Sequence, residues 1–249
     1  MSAKKVWVSS KEYRVKGRST DPKDTTGKFT YKNKQDETEE ITRDFVPEDL
    51  RILLMGAALC NNTSLIEDEE GKTIMAGDPT EIALHICAIK VGLGKERFLQ
   101  EEGFIFVNEH SFDSDRKRMS VVYKNADKYF CLAKGAPEGL LKKSTHYLSK
   151  SKAKSLEKRL KKIEKQGAKM ASQGLRILAF GYKTYNLDEK TDGDFKNVDL
   201  VENDLCFVGL IGLLDPPRKN VNNVIKQVSR TDRKKAGIGW FLLFFFNFI

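Results

Sequence analysis

The sequence lacks several features that would place it quickly. It has no Cys-x-x-Cys pair: Cys60, Cys87, Cys131 and Cys206 are widely spaced, and His85, His110 and His146 do not gather beside them. That argues against a zinc site and a disulfide framework, leaving four reduced thiols in a cytosolic setting as the expectation. There is no GxxxxGK[ST] run, and Gly92-Leu93-Gly94 lacks the remaining glycine of GxGxxG, so neither common phosphate-cradling loop is present. No serine, histidine and acid arrangement and no pairing of carboxylates argues for hydrolysis. Met1 to Glu12 holds no apolar stretch of signal-peptide length. The strongly apolar run from Trp240 to Ile249 is about half the ~20 residues that a membrane-spanning helix requires.

What is present suits a folded domain. The 249 residues are 40% apolar, enough for a sizeable core in one large or two small domains. Charged residues make up 32% of the chain and the formal charge is +9, which favours an anionic partner: nucleotide, nucleic acid or lipid surface.

Residues 1–45 are polar and turn-rich, and read as an irregular, partly mobile lead-in with short strand-like pieces at Lys5 to Ser9 and Phe29 to Lys32. Helical spacing predicts a helix over Pro47 to Cys60, stopped at Asn61-Asn62. Leu65-Ile66 and Thr73 to Met75 flank an acidic turn and predict a hairpin. A second helix is expected from Pro79 to about Val91, with Asp78 as N-cap and Glu81 placed for a capping box. Strands follow at Phe104 to Asn108, Met119 to Lys124 and Lys128 to Ala133, then a short helix after Pro137. Lys152 to Gln173 reads as a basic amphipathic helix stopped by Gly174, more simply docked on a sheet than free to bind. Strands at Arg176 to Lys183 and Leu205 to Leu214 precede Asp215-Pro216-Pro217-Arg218, where the prolines break any ladder. Without βαβ alternation the class is α+β, an antiparallel twisted sheet flanked by helices.

Four segments stand out by their order: Gly77-Asp78-Pro79-Thr80-Glu81, Phe112-Asp113-Ser114-Asp115-Arg116-Lys117-Arg118-Met119, Lys134-Gly135-Ala136-Pro137-Glu138, and Gly174-Leu175-Arg176-Ile177-Leu178-Ala179. With Cys60-Asn61-Asn62 before them and Asp215-Pro216-Pro217-Arg218 after, they resemble the nucleotide-binding domain of P-type cation-transporting ATPases, over roughly residues 45–218. The flavour is similar to calcium and sodium pumps.

The resemblance implies an ATP site. Phe112 would stack on adenine, Glu81 would accept a hydrogen bond from the adenine amino group, and Lys117 and Lys134 would serve the pocket wall or the phosphates. Arg176 would fork onto phosphate or ribose oxygens, Gly135 would permit close backbone approach, and Thr80 and Leu178 are further pocket residues. An isolated Phe112 would read as a core ring, but its Asp-Ser-Asp-Arg-Lys surroundings favour an exposed one; Glu81 also fits a capping box with Asp78, with the adenine contact favoured.

Resemblance divides the chain into a lead-in (1–45), a nucleotide-binding domain (46–214), a hinge and return toward a phosphorylation domain (215–238), and an aberrant apolar tail (239–249). Within the tail, the abrupt change of composition from Gly239 fits a truncated or frame-shifted reading frame, or a fragment boundary. The chain contains no DKTGT aspartate and no magnesium-holding motif of the family. It is therefore expected to bind ATP without turning it over, with Mg2+ carried by the nucleotide and no metal site of its own. Expected partners are adenine nucleotide and the phosphorylation and actuator domains of a parent pump, on the cytoplasmic side of a membrane; nucleic acid is disfavoured. The competing readings are a free-standing nucleotide-binding or regulatory module and a basic membrane-surface or nucleic-acid binder.

Overall fold

In the computed structural model, which describes residues 1–17, 27–33, 35–71 and 73–215, the centre of the sheet is its most apolar strand. This is β13 (Leu205–Leu214), buried along all but its last residue because both its faces are covered. On one side of it run β12 (Arg176–Asn186), β9 (Lys128–Gly135), β8 (Arg118–Asn125) and β7 (Ile105–Asp113) in that order, each antiparallel to the strand before it. On its other side the second half of β13 pairs with β1 (Ser2–Val8), followed outward by β2 (Lys11–Val15), β3 (Phe29–Lys32) and β4 (Thr38–Ile41). Its first half pairs in parallel with β10 (Ser144–Ser149), itself paired with β11 (Lys152–Ser155). A separate hairpin joins β5 (Ser64–Glu67) to β6 (Thr73–Ala76).

The described part of the first 45 residues is thus not an irregular lead-in. Val6 and Val8 of β1, Tyr13 and Val15 of β2, and Phe29 of β3 are buried at alternate positions in the main core. The tight link Ser9-Ser10 has both residues at positive φ, 49° and 65°, the geometry of a two-residue hairpin turn. These strands are short and rich in charged residues, and only β1 among them pairs directly with the distant β13.

Helices cover both faces. On one lie α1 (Glu48–Leu59) and α2 (Pro79–Ile89), burying Leu50, Leu53, Leu54, Leu84 and Ala88 against Phe180, Val208 and Ile211. A side chain at Gly209 would meet the Trp7 carbonyl at 2.3 Å and Leu53 at 2.6 Å, so a glycine is needed where α1 crosses β13. On the opposite face α3 (Pro137–Lys142) and α4 (Leu160–Ala171) pack with Leu205, Phe207 and Leu210. A short helix, α5 (Val198–Glu202), leads directly into β13.

The basic segment 152–173 departs from its expected course. Residues Lys152 to Ser155 are a strand, because Lys150-Ser151 forms a second left-handed turn (φ 54° and 57°) and Asp49 accepts both of that turn's backbone N–H groups, at 2.8 and 2.7 Å. The same carboxylate accepts from the Ser9 hydroxyl, tying both hairpins to the start of α1. Helix begins only at Leu160, where Ile163 and Met170 can be buried, and ends before Gly174 at φ +74°. Among the described residues no helix is long and apolar enough to cross a membrane.

Candidate functional site

A cleft of about 500 Å³ opens beside the N-terminus of α2, lined by the last residues of β9, the first of β12 and the end of β7. All eight site residues singled out in the sequence line it: Thr80, Glu81, Phe112, Lys117, Lys134, Gly135, Arg176 and Leu178. Asp78, Ala136 and Ile177 complete the lining.

The floor is an ion pair. Lys134, 7% exposed, donates to Glu81 across 2.5 Å, while the other Glu81 oxygen accepts from the Asn62 backbone N–H at 3.1 Å. Glu81 therefore does not close a capping box. Only the first half of that motif forms, with Asp78 accepting from the Thr80 N–H at 2.7 Å. Partial burial works to raise the Asp78 carboxyl, but hydrogen bonds from Thr80 and Glu81 and the nearby Arg176 guanidinium together hold it below the usual range.

Asn61 explains why Glu81 stands where it does. Its amide donates to the Ala57 carbonyl at 3.0 Å and the Glu81 carbonyl at 2.9 Å, joining the end of α1 to the start of α2. The Asn62 side chain reaches Glu109 on β7 at 3.0 Å. The Cys-Asn-Asn run was visible in the sequence, but nothing in it shows that its amides hold a carboxylate from the next helix. Behind Lys134 the Cys60 thiol is fully buried and pushed up to about 12 by that burial, so it is inert.

Phe112 projects from the end of β7 and is 65% exposed, not a core ring. The turn after it is shaped by Asp113, whose carboxylate accepts from the N–H groups of Asp115 and Arg116 at 2.9 and 2.7 Å. The turn leaves Lys117 at φ +52° with its carbonyl accepting from Ala136 N at 3.0 Å. There Gly135 is indispensable: a Cβ would lie 2.5 Å from the Lys117 carbonyl and 2.6 Å from Arg118 Cβ. Gly135→Ala is expected to cost about 1–3 kcal/mol of stability through this overlap, measurable as a lowered urea midpoint, and to displace Lys117 from the cleft. Arg176 is exposed at the cleft's rim and Leu178 packs partly on the main core.

Arg116 and Arg118, from the same motif as Lys117, do not line the cleft but turn toward Glu202 of α5. Their partner is 84 residues or more away in sequence and carries no local signal. Asp215 ends the described sheet unit, whereas Pro216, Pro217, Arg218 and the tail 239–249 lie outside the described residues. Among those described, no group of three or more His, Cys, Asp or Glu side chains could hold a metal ion.

Residues 49–220 match the family model for the P-type ATPase cytoplasmic domain N. The chain belongs to that family. The match runs from the start of α1 through the whole cleft to the segment after β13. Outside it, the N domain is similar to whole transporters: it is 35% identical over 240 residues to a calcium-transporting ATPase of Bacillus subtilis, covering 96% of this chain and 24% of that protein. It is 36% identical over 224 residues to calcium-transporting ATPase 1 of Bacillus cereus, covering 89% and 23%. With the sodium/potassium exporting P-type ATPase cta3 of Schizosaccharomyces pombe it shares 33% identity over 242 residues, covering 92% and 23%. The chain thus spans about a quarter of the length of these relatives. The first two alignments cover more of the chain than the family match does.

Proposed function

We propose that this N domain holds an adenine nucleotide, ATP with its Mg2+, in the cleft between α2 and the strand ends, and presents the γ-phosphate to a phosphorylation domain of a parent cation pump. The supporting observation is the convergence of eight residues from four separate segments on one cleft. The exposed Phe112 ring offers a face to the base, and such stacking contributes roughly 1–3 kcal/mol. Lys117 and Arg176 supply positive charge at the rim, and Lys134 with Glu81 supplies a donor and an acceptor on the floor. The carboxylate to which phosphate would pass belongs to another part of such a pump, so the chain alone holds ATP without consuming it. The cation carried is of the calcium or sodium type by likeness to the relatives, and the actuator and phosphorylation domains are the partners.

Calorimetric titration with Mg-ATP tests this reading. Phe112→Ala should weaken binding by roughly 5- to 150-fold, the equivalent of a lost stacking contact. A folded sample whose affinity ignores that substitution would contradict the site. The competing reading rests on the exposed lysines Lys152, Lys154, Lys158, Lys161, Lys162, Lys165 and Lys169 around α4, a surface suited to a polyanion. Binding there would fall steeply with salt and would not depend on Phe112.

A further inference from the structure

We infer that Glu202 is a positioning residue for the proposed nucleotide site, acting through the turn that carries Phe112 and Lys117; the inference rests on that functional reading. Glu202 closes α5 and is 1% exposed, and its carboxylate is met by three side-chain donors. One oxygen accepts from Arg116 and from the Ser120 hydroxyl at 3.0 Å, and the other accepts from Arg118 Nε at 2.5 Å. Arg116 and Arg118 flank Lys117. Arg116 also donates to the Ser111 carbonyl at 2.8 Å, next to Phe112, and Arg118 donates to the Arg116 carbonyl at 3.0 Å. A single buried carboxylate therefore grips both sides of Lys117 and, through one guanidinium, the residue before Phe112.

Asp113 and the Ala136 N–H shape this turn from within, and Glu202 holds it from outside. Ser111, Phe112, Ser114, Asp115 and Lys117 are all exposed, so apolar packing contributes almost nothing, and hydrogen bonds determine the path. Without the Glu202 charge the two guanidiniums would keep only Asp113, 3.9 Å from Arg116 Nε, as a counter-ion; their repulsion would be poorly balanced and the turn would loosen. Neither Arg116 nor Arg118 lines the cleft, so the effect on a nucleotide must pass through Phe112 and Lys117.

A double-mutant cycle on the full chain separates this role from a general structural one. ADP affinity is measured for the parent, for Glu202→Gln, for Phe112→Ala with Lys117→Ala, and for all three together, at a temperature where each is folded. Glu202→Gln should weaken ADP about tenfold in the parent, yet by less than about twofold once Phe112 and Lys117 are gone. Equal weakening in both backgrounds would overturn the positioning role, as would unchanged affinity in the parent background. Failure of the parent chain itself to bind ADP would instead overturn the functional reading on which the inference stands. Should Glu202→Gln not fold, Arg116→Gln releases the same grip from its more exposed end and is held to the same outcomes.

Discussion

Lys134→Ala is expected to lower the stability of the domain by about 3–5 kcal/mol and to weaken ATP binding by at least about tenfold. The stability loss follows from burial. Lys134 sits in β9 opposite Met119 and Phe180, 7% exposed, and its ammonium is the cation facing Glu81. Truncation leaves the Glu81 carboxylate, 17% exposed at its side chain, with the Asn62 N–H but without the cation that contacts it directly. Such losses are a large fraction of the ~5–15 kcal/mol that holds a typical domain together, so the effect is plain in a denaturant titration. The two consequences can be separated. Removing both charges, with Lys134→Met and Glu81→Gln together, leaves no orphaned ion and should recover most of the stability. Nucleotide affinity should stay low, because the ammonium and the carboxylate of the cleft floor are both gone. A double variant that recovered affinity along with stability would show that the pair merely supports the fold.

Alkaline unfolding between pH 9 and pH 12 is the second large effect, and its source is the cysteines and tyrosines of the core. Burial raises the Cys60, Cys87 and Cys131 thiols from 9.0 to about 12, and the Tyr13 and Tyr123 hydroxyls from 10.0 to about 12. The unfolded chain therefore loses these protons first. Where it binds fewer protons than the native state, stability falls with rising pH, by as much as ~1.4 kcal/mol per pH unit for each such group. The contribution is fully present below pH 9 and is lost as pH rises toward 12. Several groups acting together can exhaust a stability of ~5–15 kcal/mol within that window. Circular dichroism followed against pH should show cooperative loss of the sheet there, with thiols becoming reactive in step. A fold intact at pH 12 would show that these groups are not protected as their burial implies.

The elements that were legible in the sequence are those whose cause is local. Asp78 caps and Pro79 opens α2 within three residues, and Gly174 ends α4 with a positive φ that glycine adopts freely. The central strands β12 and β13 declare themselves by apolar length. The polar strands could not do so: β1 is held by pairing with β13, some 200 residues away, with β2 to β4 added outward from it, and β11 by two N–H groups donated to Asp49 from the preceding turn. Lysines at 152 and 154 fit a helix face as well as a strand edge, and only that turn decides between them. The cleft divides in the same way. Eight of its lining residues were found through motif order and likeness to a family, whereas Asn61, Asn62 and Glu202, which hold them in place, act across the fold and leave no periodicity to read.

The most direct test of the central claim is a nuclear magnetic resonance titration of the isotopically labelled chain with Mg-ATP. Nucleotide in the cleft should shift the amide signals of Thr80, Glu81, Lys117, Gly135 and Arg176 together, saturating with one affinity, and should move the ring signals of Phe112. Shifts confined to the lysine-rich surface of β11 and α4, or a spectrum unchanged at millimolar nucleotide, would contradict it.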